Sequence, residues 1–221
     1  MAEDDPSGRG LEIAEPAPGP PHGEGADPLL GRLSRVRSNL DRERAEAPAL
    51  VAELLSQPSP RREELLVGDI RYHTWGVCEL LLARSAEAAD PAESARLAAL
   101  TLAGAERLDA GQHASAVVED LKARAWAIVG DARRRQGELA GAEEALRAAA
   151  ACLAGGTGDL LVDAHLLEFE AALRREQRRI GEAAALLRLA AARYRETGEM
   201  ESLERVLGER EAMLRQEHPI T

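Results

Sequence analysis

The sequence predicts an all-α protein, and its composition carries the prediction. Alanine and leucine, both strong helix formers, make up 75 of the 221 residues. Nine valines, five isoleucines and an aromatic content of 2% leave little material for a β-sheet. Apolar residues recur at helical spacing in segments that proline and glycine separate. We therefore expect helices joined by short turns throughout the body of the chain.

The first segment has a different composition from the rest. Residues 1–28 contain seven acidic residues, one arginine and six of the eleven prolines. Such a segment has too few apolar residues to form a core. We expect residues 1–27 to be a disordered acidic tail.

The helical body begins at Asp27-Pro28, where an N-cap residue precedes a proline at the first helical position. Leu29, Leu30, Leu33, Val36 and Leu40 follow at helical spacing, which predicts a helix over about 28–45. A second short helix is predicted to open at Pro48, and Ser59-Pro60 repeats the cap signal. Residues 61–86 read as one long helix or two short ones. We assign residues 28–69 to an N-terminal helical region.

Asp90-Pro91 starts the next helix, since Asp caps it, proline follows and Glu93 lies in the first turn. This helix is expected to reach Leu108. Further breaks fall at Gly111, Gly137, the loop 155–158, Gly181 and Gly198. The remaining predicted helices are 113–136, 139–153, 159–177, 181–195 and 200–216.

Helices of this length joined by short turns suggest stacked antiparallel pairs, and the segment 123–153 carries a repeat signature. It has Trp126, Val129 and Gly130 on one helix, Gly137 at the turn, and Ala142, Leu146 and Ala149 on the next helix. Small residues let two helices cross closely, and large ones fill the space beside the crossing. This segment resembles the tetratricopeptide repeat, although Arg133 stands where that family usually has tyrosine and Ala154 replaces the final proline.

The resemblance extends less closely to the neighbouring segments. Downstream, a shift of 41 positions aligns Ala183 with Ala142 and Leu187 with Leu146, and upstream Trp75 aligns with Trp126. The resemblance implies a right-handed α-solenoid of antiparallel helix pairs, with about three degenerate repeats over 70–197. Residues 198–216 would be a C-terminal capping helix, followed by a tail over 217–221. An unrelated helical bundle is the alternative.

No motif in the sequence points to chemistry. The five histidines and the two cysteines, Cys78 and Cys152, do not occur at metal-ligand spacing. The glycine-rich run 155–158 lacks the GK[ST] ending of a phosphate loop, and no GxSxG motif is present. The sequence therefore predicts no enzyme activity, no metal and no cofactor.

Charge and hydropathy narrow the classes of partner. The net charge is −11, which disfavours a nucleic-acid binder because phosphates attract basic surfaces. No stretch approaches the about 18 consecutive apolar residues of a membrane span, and the first residues are acidic where a leader peptide is basic. We expect a cytoplasmic protein without a membrane partner.

In tetratricopeptide-repeat proteins the first helix of each pair lines a concave groove that holds a peptide or an extended segment of another protein. Transferred to this sequence, the resemblance implies a partner-binding groove, with Arg124, Arg134, Arg135 and Arg175 as a basic strip that pairs with partner carboxylates. Solvated arginines on a helix face are the alternative. The positions placed in the groove are His73, Gly76, Leu80, Arg124, Ala127, Asp131, Arg134, Arg135, His165, Glu168, Ala172, Arg175 and Glu176.

The sequence thus predicts a protein interaction or scaffold module. The alternative function is a regulatory or sensing subunit of a bacterial signalling or transcription complex that acts through its N-terminal helices. Five arginines on helix 28–45 allow a contact with DNA phosphates, but the nearby acidic residues Asp41, Glu43 and Glu46 weaken it.

Overall fold

A computed structural model describes residues 28–217, and no strand occurs among them. The predicted tail 1–27 and residues 218–221 of the predicted C-terminal tail lie outside the described residues. The helices are α1 (Pro28–Leu55), α2 (Ser59–Gly68), α3 (Trp75–Glu87), α4 (Pro91–Ala105), α5 (Ser115–Arg135), α6 (Leu139–Ala154), α7 (Leu160–Glu176), α8 (Ile180–Thr197) and α9 (Met200–Glu217), with a 3-10 turn at Ile70–Tyr72. The all-α prediction is confirmed for this part of the chain.

The chain divides into two compact units between Arg35 and Val36. Of the first unit, the structure describes residues 28–35, the first two turns of α1, on which Leu30 and Leu33 are exposed. The second unit extends from Val36 and contains every contact described below.

Local capping fixes several helix starts. Asp90 accepts hydrogen bonds from the N–H groups of Ala92 and Glu93 at the start of α4, and Asp159 accepts one from Leu161 at the start of α7. These satisfy backbone donors that the first helical turn leaves without partners. The predicted starts at Asp90-Pro91 and Asp159 are therefore confirmed.

The predicted break at Pro48 is wrong, because Pro48 lies inside α1. An interior proline costs a helix about 3 kcal/mol. Ala47, Val51 and Leu54 are nevertheless fully or almost fully buried in a core that α1 shares with α2, α3 and α4. Burial of these side chains, at roughly 1.5–3 kcal/mol for each large one, offsets the lost backbone hydrogen bond and keeps the helix continuous.

Other boundaries differ slightly from the predictions. The segment 61–86 forms two helices, α2 and α3, which was one of the two alternatives. Helix α4 ends at Ala105, before the predicted Leu108. The turn before α8 is not at Gly181, which is helical, but at Arg178, whose φ of 62° lies in the left-handed region.

From α3 to α9, consecutive helices pack side by side, and the α5/α6 pair shows why. The two helices are joined by the turn 136–138, in which Gly137 has a φ of 80°, so they run antiparallel. A Cβ on Gly130 would lie 2.7 Å from the Leu146 side chain and 3.4 Å from the Ala142 carbonyl oxygen. Gly130 and Ala142 therefore lie at the helix crossing, as predicted.

The other pairs follow the same arrangement. Ala171, Ala183, Leu187 and Ala190 share one buried cluster between α7 and α8. In the α3/α4 pair the small residue that faces Cys78 is Gly104. In addition, α3 packs against α5 and α5 against α7. The first helices of successive pairs are thus neighbours, and this neighbourhood positions the candidate site.

Candidate partner-binding face

The neighbouring helices α3, α5 and α7 enclose a surface pocket of about 320 Å³. Small side chains create it, because Ala83, Ala86, Ala123 and Ala127 leave space that larger residues would fill. Leu82 and Val162 join Ala123 and Ala127 among its buried lining residues. The other lining residues are Glu79, Arg124, Ile128, His165 and Phe169.

Three predicted groove residues, Arg124 and Ala127 on α5 and His165 on α7, line this pocket. The His165 ring packs edge-on against Tyr194, with ring centroids 5.9 Å apart. Desolvation lowers the pKa of His165 below its usual value, so its imidazole is mainly neutral at pH 7. The pocket therefore combines an apolar floor with one fixed cation and one neutral hydrogen-bonding ring.

The charge balance at the pocket rim is positive. Glu79 lines the pocket but is neutralised by Arg44 of α1, whose Nε and Nη2 donate to its two oxygens at 2.7 and 2.8 Å. This bidentate pair lowers the pKa of Glu79. For Arg124, no carboxylate among residues 28–217 lies within the 4 Å of a salt bridge.

Two arginines of the predicted basic strip are bound by acidic residues of the chain itself. Arg134 donates to Asp131 at 2.8 Å and to Glu176 of α7 at 2.8 Å. Arg175 donates to Glu209 of α9 at 2.6 Å. Their charges hold neighbouring helices together and are compensated. The uncompensated part of the strip is therefore smaller than the sequence suggested.

Arg135 and Glu168 are also engaged. Arg135 donates to the backbone carbonyl of Ala89 at 2.5 Å. Glu168 accepts hydrogen bonds from the Tyr194 hydroxyl and from Arg205 of α9, the latter at 2.6 and 2.9 Å. Together with Arg44–Glu79, Arg134–Glu176 and Arg175–Glu209, the pair Arg205–Glu168 forms what we call the ion-pair ladder. Each pair in it joins two helices of the odd-numbered series α1, α3, α5, α7 and α9.

His73 lies away from the pocket lining. Its Nε2 is 2.8 Å from the carbonyl oxygen of Leu66, at the junction between α2 and α3. The next predicted groove position, Gly76, is buried against α1, where a Cβ would lie within 2.5 Å of the Glu43 carbonyl carbon. His73 and Gly76 are thus used for contacts within the chain, and Arg124, Ala127 and His165 are the predicted groove residues that the structure brings together in one pocket.

Three residues at or beside the pocket were not predicted from the sequence: Glu79, Phe169 and Arg44, which neutralises Glu79. Phe169 had a local signal, since it follows His165 by four positions and so lies on the same helix face. Arg44 lies 35 positions before Glu79, and no local pattern connects the two.

The remaining reactive groups are shielded. Burial raises the pKa of the Cys78 thiol to about 12 and that of Cys152 to about 11, so both thiols are protonated at neutral pH. In the glycine-rich loop, the N–H and hydroxyl of Thr157 are bound by the buried carboxylate of Asp120. Within residues 28–217, no three His, Cys, Asp or Glu side chains are grouped to hold a metal ion.

None of the helices described between residues 28 and 217 is both long and apolar enough to cross a membrane. Comparison of the chain with protein-family models, with curated proteins and with solved structures found no match.

Proposed function

We propose that this chain is a protein interaction module and that the face formed by α3, α5 and α7 binds a segment of a partner protein. The observation that carries the proposal is the 320 Å³ pocket, which opens between three successive first helices and contains Arg124 and His165. Its volume suits a large apolar side chain of a bound segment.

The charges favour an acidic partner segment. The Arg124 guanidinium has no acidic neighbour within 4 Å in the described part of the chain, while Glu79 is already neutralised by Arg44. A carboxylate next to the inserted apolar side chain would pair with Arg124 in a charge-assisted hydrogen bond. An acidic protein with one such positive rim therefore selects partners by charge as well as by shape.

The packing order supports stacked helix pairs, and in this proposal the pairs form a tetratricopeptide-like, right-handed repeat. Helices α3 and α5 each pack against the second helix of their own pair and against the first helix of the next pair, and the ion-pair ladder continues this series to α9. In this proposal α9 is the capping helix, and α1 and α2 form an additional pair before the three repeats inferred from the sequence.

The alternative is a regulatory subunit that acts through its N-terminal helix. One observation favours it: Leu30 and Leu33 on α1 are 63% and 64% exposed, although both are large apolar residues. Such exposure marks interaction surfaces in other proteins when several apolar side chains adjoin. Both functions involve a protein partner, and they differ in the surface that contacts it.

The test is capture of partner proteins by the full chain and by four variants. Ala83→Trp fills the pocket at an exposed position, and Arg124→Glu reverses the rim charge. Ala185→Trp and Arg188→Glu make the same changes on the exposed face of α8 and are the matched controls. We expect a partner that the wild type and both controls retain and that both pocket variants lose, with unchanged helical circular dichroism.

Equal retention by Ala83→Trp would overturn the proposal. If the same partner is then lost when Leu30 and Leu33 are replaced by serine, the α1 alternative is the better one.

A further inference from the structure

A second pocket, of about 470 Å³, lies between α6 and α7 and is separate from the partner-binding face. Residues 158–160, at the start of α7, also line it. Its apolar lining comes from Ala150, Leu153 and Ala154 of α6 and from Leu166 and Leu167 of α7. We call this pocket the α6/α7 cleft.

The charged residues of the α6/α7 cleft are unbalanced. Three carboxylates, Asp159, Asp163 and Glu170, face one guanidinium, Arg193. Arg193 is bound to Asp163 at 2.7 Å, and Asp159 caps α7 by accepting from the N–H of Leu161 at 2.8 Å. Glu170 has neither a hydrogen bond nor a salt bridge to any residue within the described part of the chain.

The charge of Arg174, one turn after Glu170 on α7, opposes the effect of burial on Glu170 but does not outweigh it. Arg147 and Glu170 line a smaller neighbouring pocket, and no salt bridge joins them within the described part of the chain. Arg174 donates to Gln177 at 2.7 Å and to Glu143 at 3.2 Å, and Arg193 is held by Asp163. Glu170 is half-buried, and desolvation raises its pKa. An unpaired carboxylate in an apolar cleft is unfavourable, and a cation placed next to it would remove much of that cost.

We propose that the α6/α7 cleft binds a small organic cation, an ammonium or guanidinium group on an aliphatic stem. The cationic group pairs with the Glu170 carboxylate, and the stem packs against Leu153, Leu166 and Leu167. The cleft volume lies within the range of small-molecule sites, which are mostly apolar with a few polar groups that orient the ligand.

Other ligand classes fit this cleft less well. The three carboxylates and one guanidinium of its lining give the cleft a net charge of −2, which repels anions. A neutral apolar molecule would fill the volume but would leave Glu170 uncompensated in a drier environment. A bare metal ion needs several oxygen ligands, and Glu170 is the one carboxylate of the cleft lining without a hydrogen-bonded partner.

The probe for this proposal is n-hexylammonium, titrated into the full chain and followed by methyl NMR, with n-hexanol as the uncharged ligand of the same length. We expect saturable shifts of the methyl groups of Leu153, Leu166 and Leu167 with n-hexylammonium. Hexanol should bind about tenfold more weakly, because its hydroxyl can donate a hydrogen bond to Glu170 but carries no positive charge.

The variants distinguish binding in the α6/α7 cleft from a general effect of the protein's charge. Glu170→Gln keeps the shape and removes the charge, so we expect an affinity reduced about tenfold. Glu144→Gln removes an exposed charge from α6 and should bind as the wild type does. Ala150→Trp occupies the cleft and should abolish binding, whereas Ala185→Trp on α8 should not.

The proposal is overturned if the methyl shifts do not saturate, if Glu170→Gln binds with unchanged affinity, or if hexanol binds as tightly as n-hexylammonium. Each outcome is independent of the partner-binding face, because none of these variants changes a residue that lines the first pocket.

Discussion

The carboxylate of Glu43 on α1 accepts a hydrogen bond of 2.7 Å from the backbone N–H of Trp75, the first residue of α3. Thr74 accepts a second hydrogen bond from the N–H of Val77 in the same turn. Two backbone N–H groups of the first turn of α3, which have no acceptor within the helix, are therefore satisfied by α1 and by the residue before α3. The adjacent Arg44–Glu79 pair adds a second link between α1 and α3.

Replacing Glu43 by alanine should destabilise the protein by about 1–2 kcal/mol, the usual cost of a lost N-terminal cap. The Trp75 amide would lose its acceptor, and urea-induced unfolding measures the effect. Glu46→Ala, an exposed change on the same helix, should stay within about 0.5 kcal/mol of the wild type. Equal effects of the two variants would show that the cap contributes nothing.

Gly76→Ala should be more damaging, at about 3 kcal/mol. The new methyl group would overlap backbone atoms of Glu43 and Arg44, and backbone relaxes less readily than a side-chain end. Thermal unfolding followed by circular dichroism measures this loss.

Gly208→Ala is the matched control for Gly76→Ala, because it lies within α9 and its new methyl group meets nothing within 4 Å. This variant should be stabilised by about 0.5–1 kcal/mol. A Gly76→Ala protein as stable as Gly208→Ala would refute the close α1/α3 contact.

Asp120→Ala should loosen the loop 155–158 and cost about 2 kcal/mol, since both the N–H and the hydroxyl of Thr157 lose their acceptor. Faster hydrogen exchange at the Thr157 amide is the local readout, and unfolding in urea is the global one. Thr157→Val removes only the hydroxyl and should have the smaller effect. An unchanged exchange rate in Asp120→Ala would contradict the assignment.

The two tyrosines should make the protein less stable at alkaline pH. Tyr72 and Tyr194 are fully buried, and burial raises the pKa of both phenols. In the unfolded chain they ionise near pH 10, whereas the folded protein keeps the protons. The unfolded state therefore binds fewer protons, and stability falls as the pH rises above about 10.

Tyr194→Phe should reduce this alkaline loss and cost about 1–2 kcal/mol at neutral pH, because the hydrogen bond to Glu168 is lost. Unfolding free energies across alkaline pH, together with the near-ultraviolet absorbance of tyrosinate, measure both effects. Tyrosinate absorbance that develops near pH 10 before unfolding would contradict the burial of these phenols.

Glu170→Gln should stabilise the ligand-free protein at neutral pH. Burial raises the pKa of Glu170 in the folded state. Above the ordinary pKa of a glutamate, the unfolded chain therefore releases a proton that the folded protein retains. This difference lowers the free energy of unfolding as the pH rises. The variant removes that contribution, which urea unfolding at acidic and neutral pH detects. A variant that is less stable at neutral pH would indicate an unrecognised partner for Glu170.

Local signals predicted much of the fold. Two helix starts are capped by the side chains of Asp90 and Asp159, and the turn after α5 uses the positive φ of Gly137. Such local features can be recognised from the sequence around each residue. Pro48 favours a helix break that does not occur, because the burial of Ala47, Val51 and Leu54 overrides its local preference. That burial depends on helices that follow in the sequence and is not readable at Pro48 itself.

The candidate site was predictable only in part. Counting along α5 and α7 placed Arg124 and His165 on one face, and the structure brings both to one pocket. The Asp131–Arg134 pair, three positions apart on α5, could be read from local spacing. The pairs with Glu176 and Glu209 could not, because these acids lie 42 and 34 positions after Arg134 and Arg175. Ion pairs at such separations depend on helix packing, which the local pattern does not encode.

The packing of each helix against its neighbours in sequence also affects how the chain folds. Most contacts of the second unit join consecutive helices, and proteins dominated by such near contacts fold within microseconds to milliseconds. Folding that begins in one hairpin can spread to the next, as in other arrays of stacked helices. A destabilised pair at either end can then open while the central α5/α6 hairpin remains protected against hydrogen exchange.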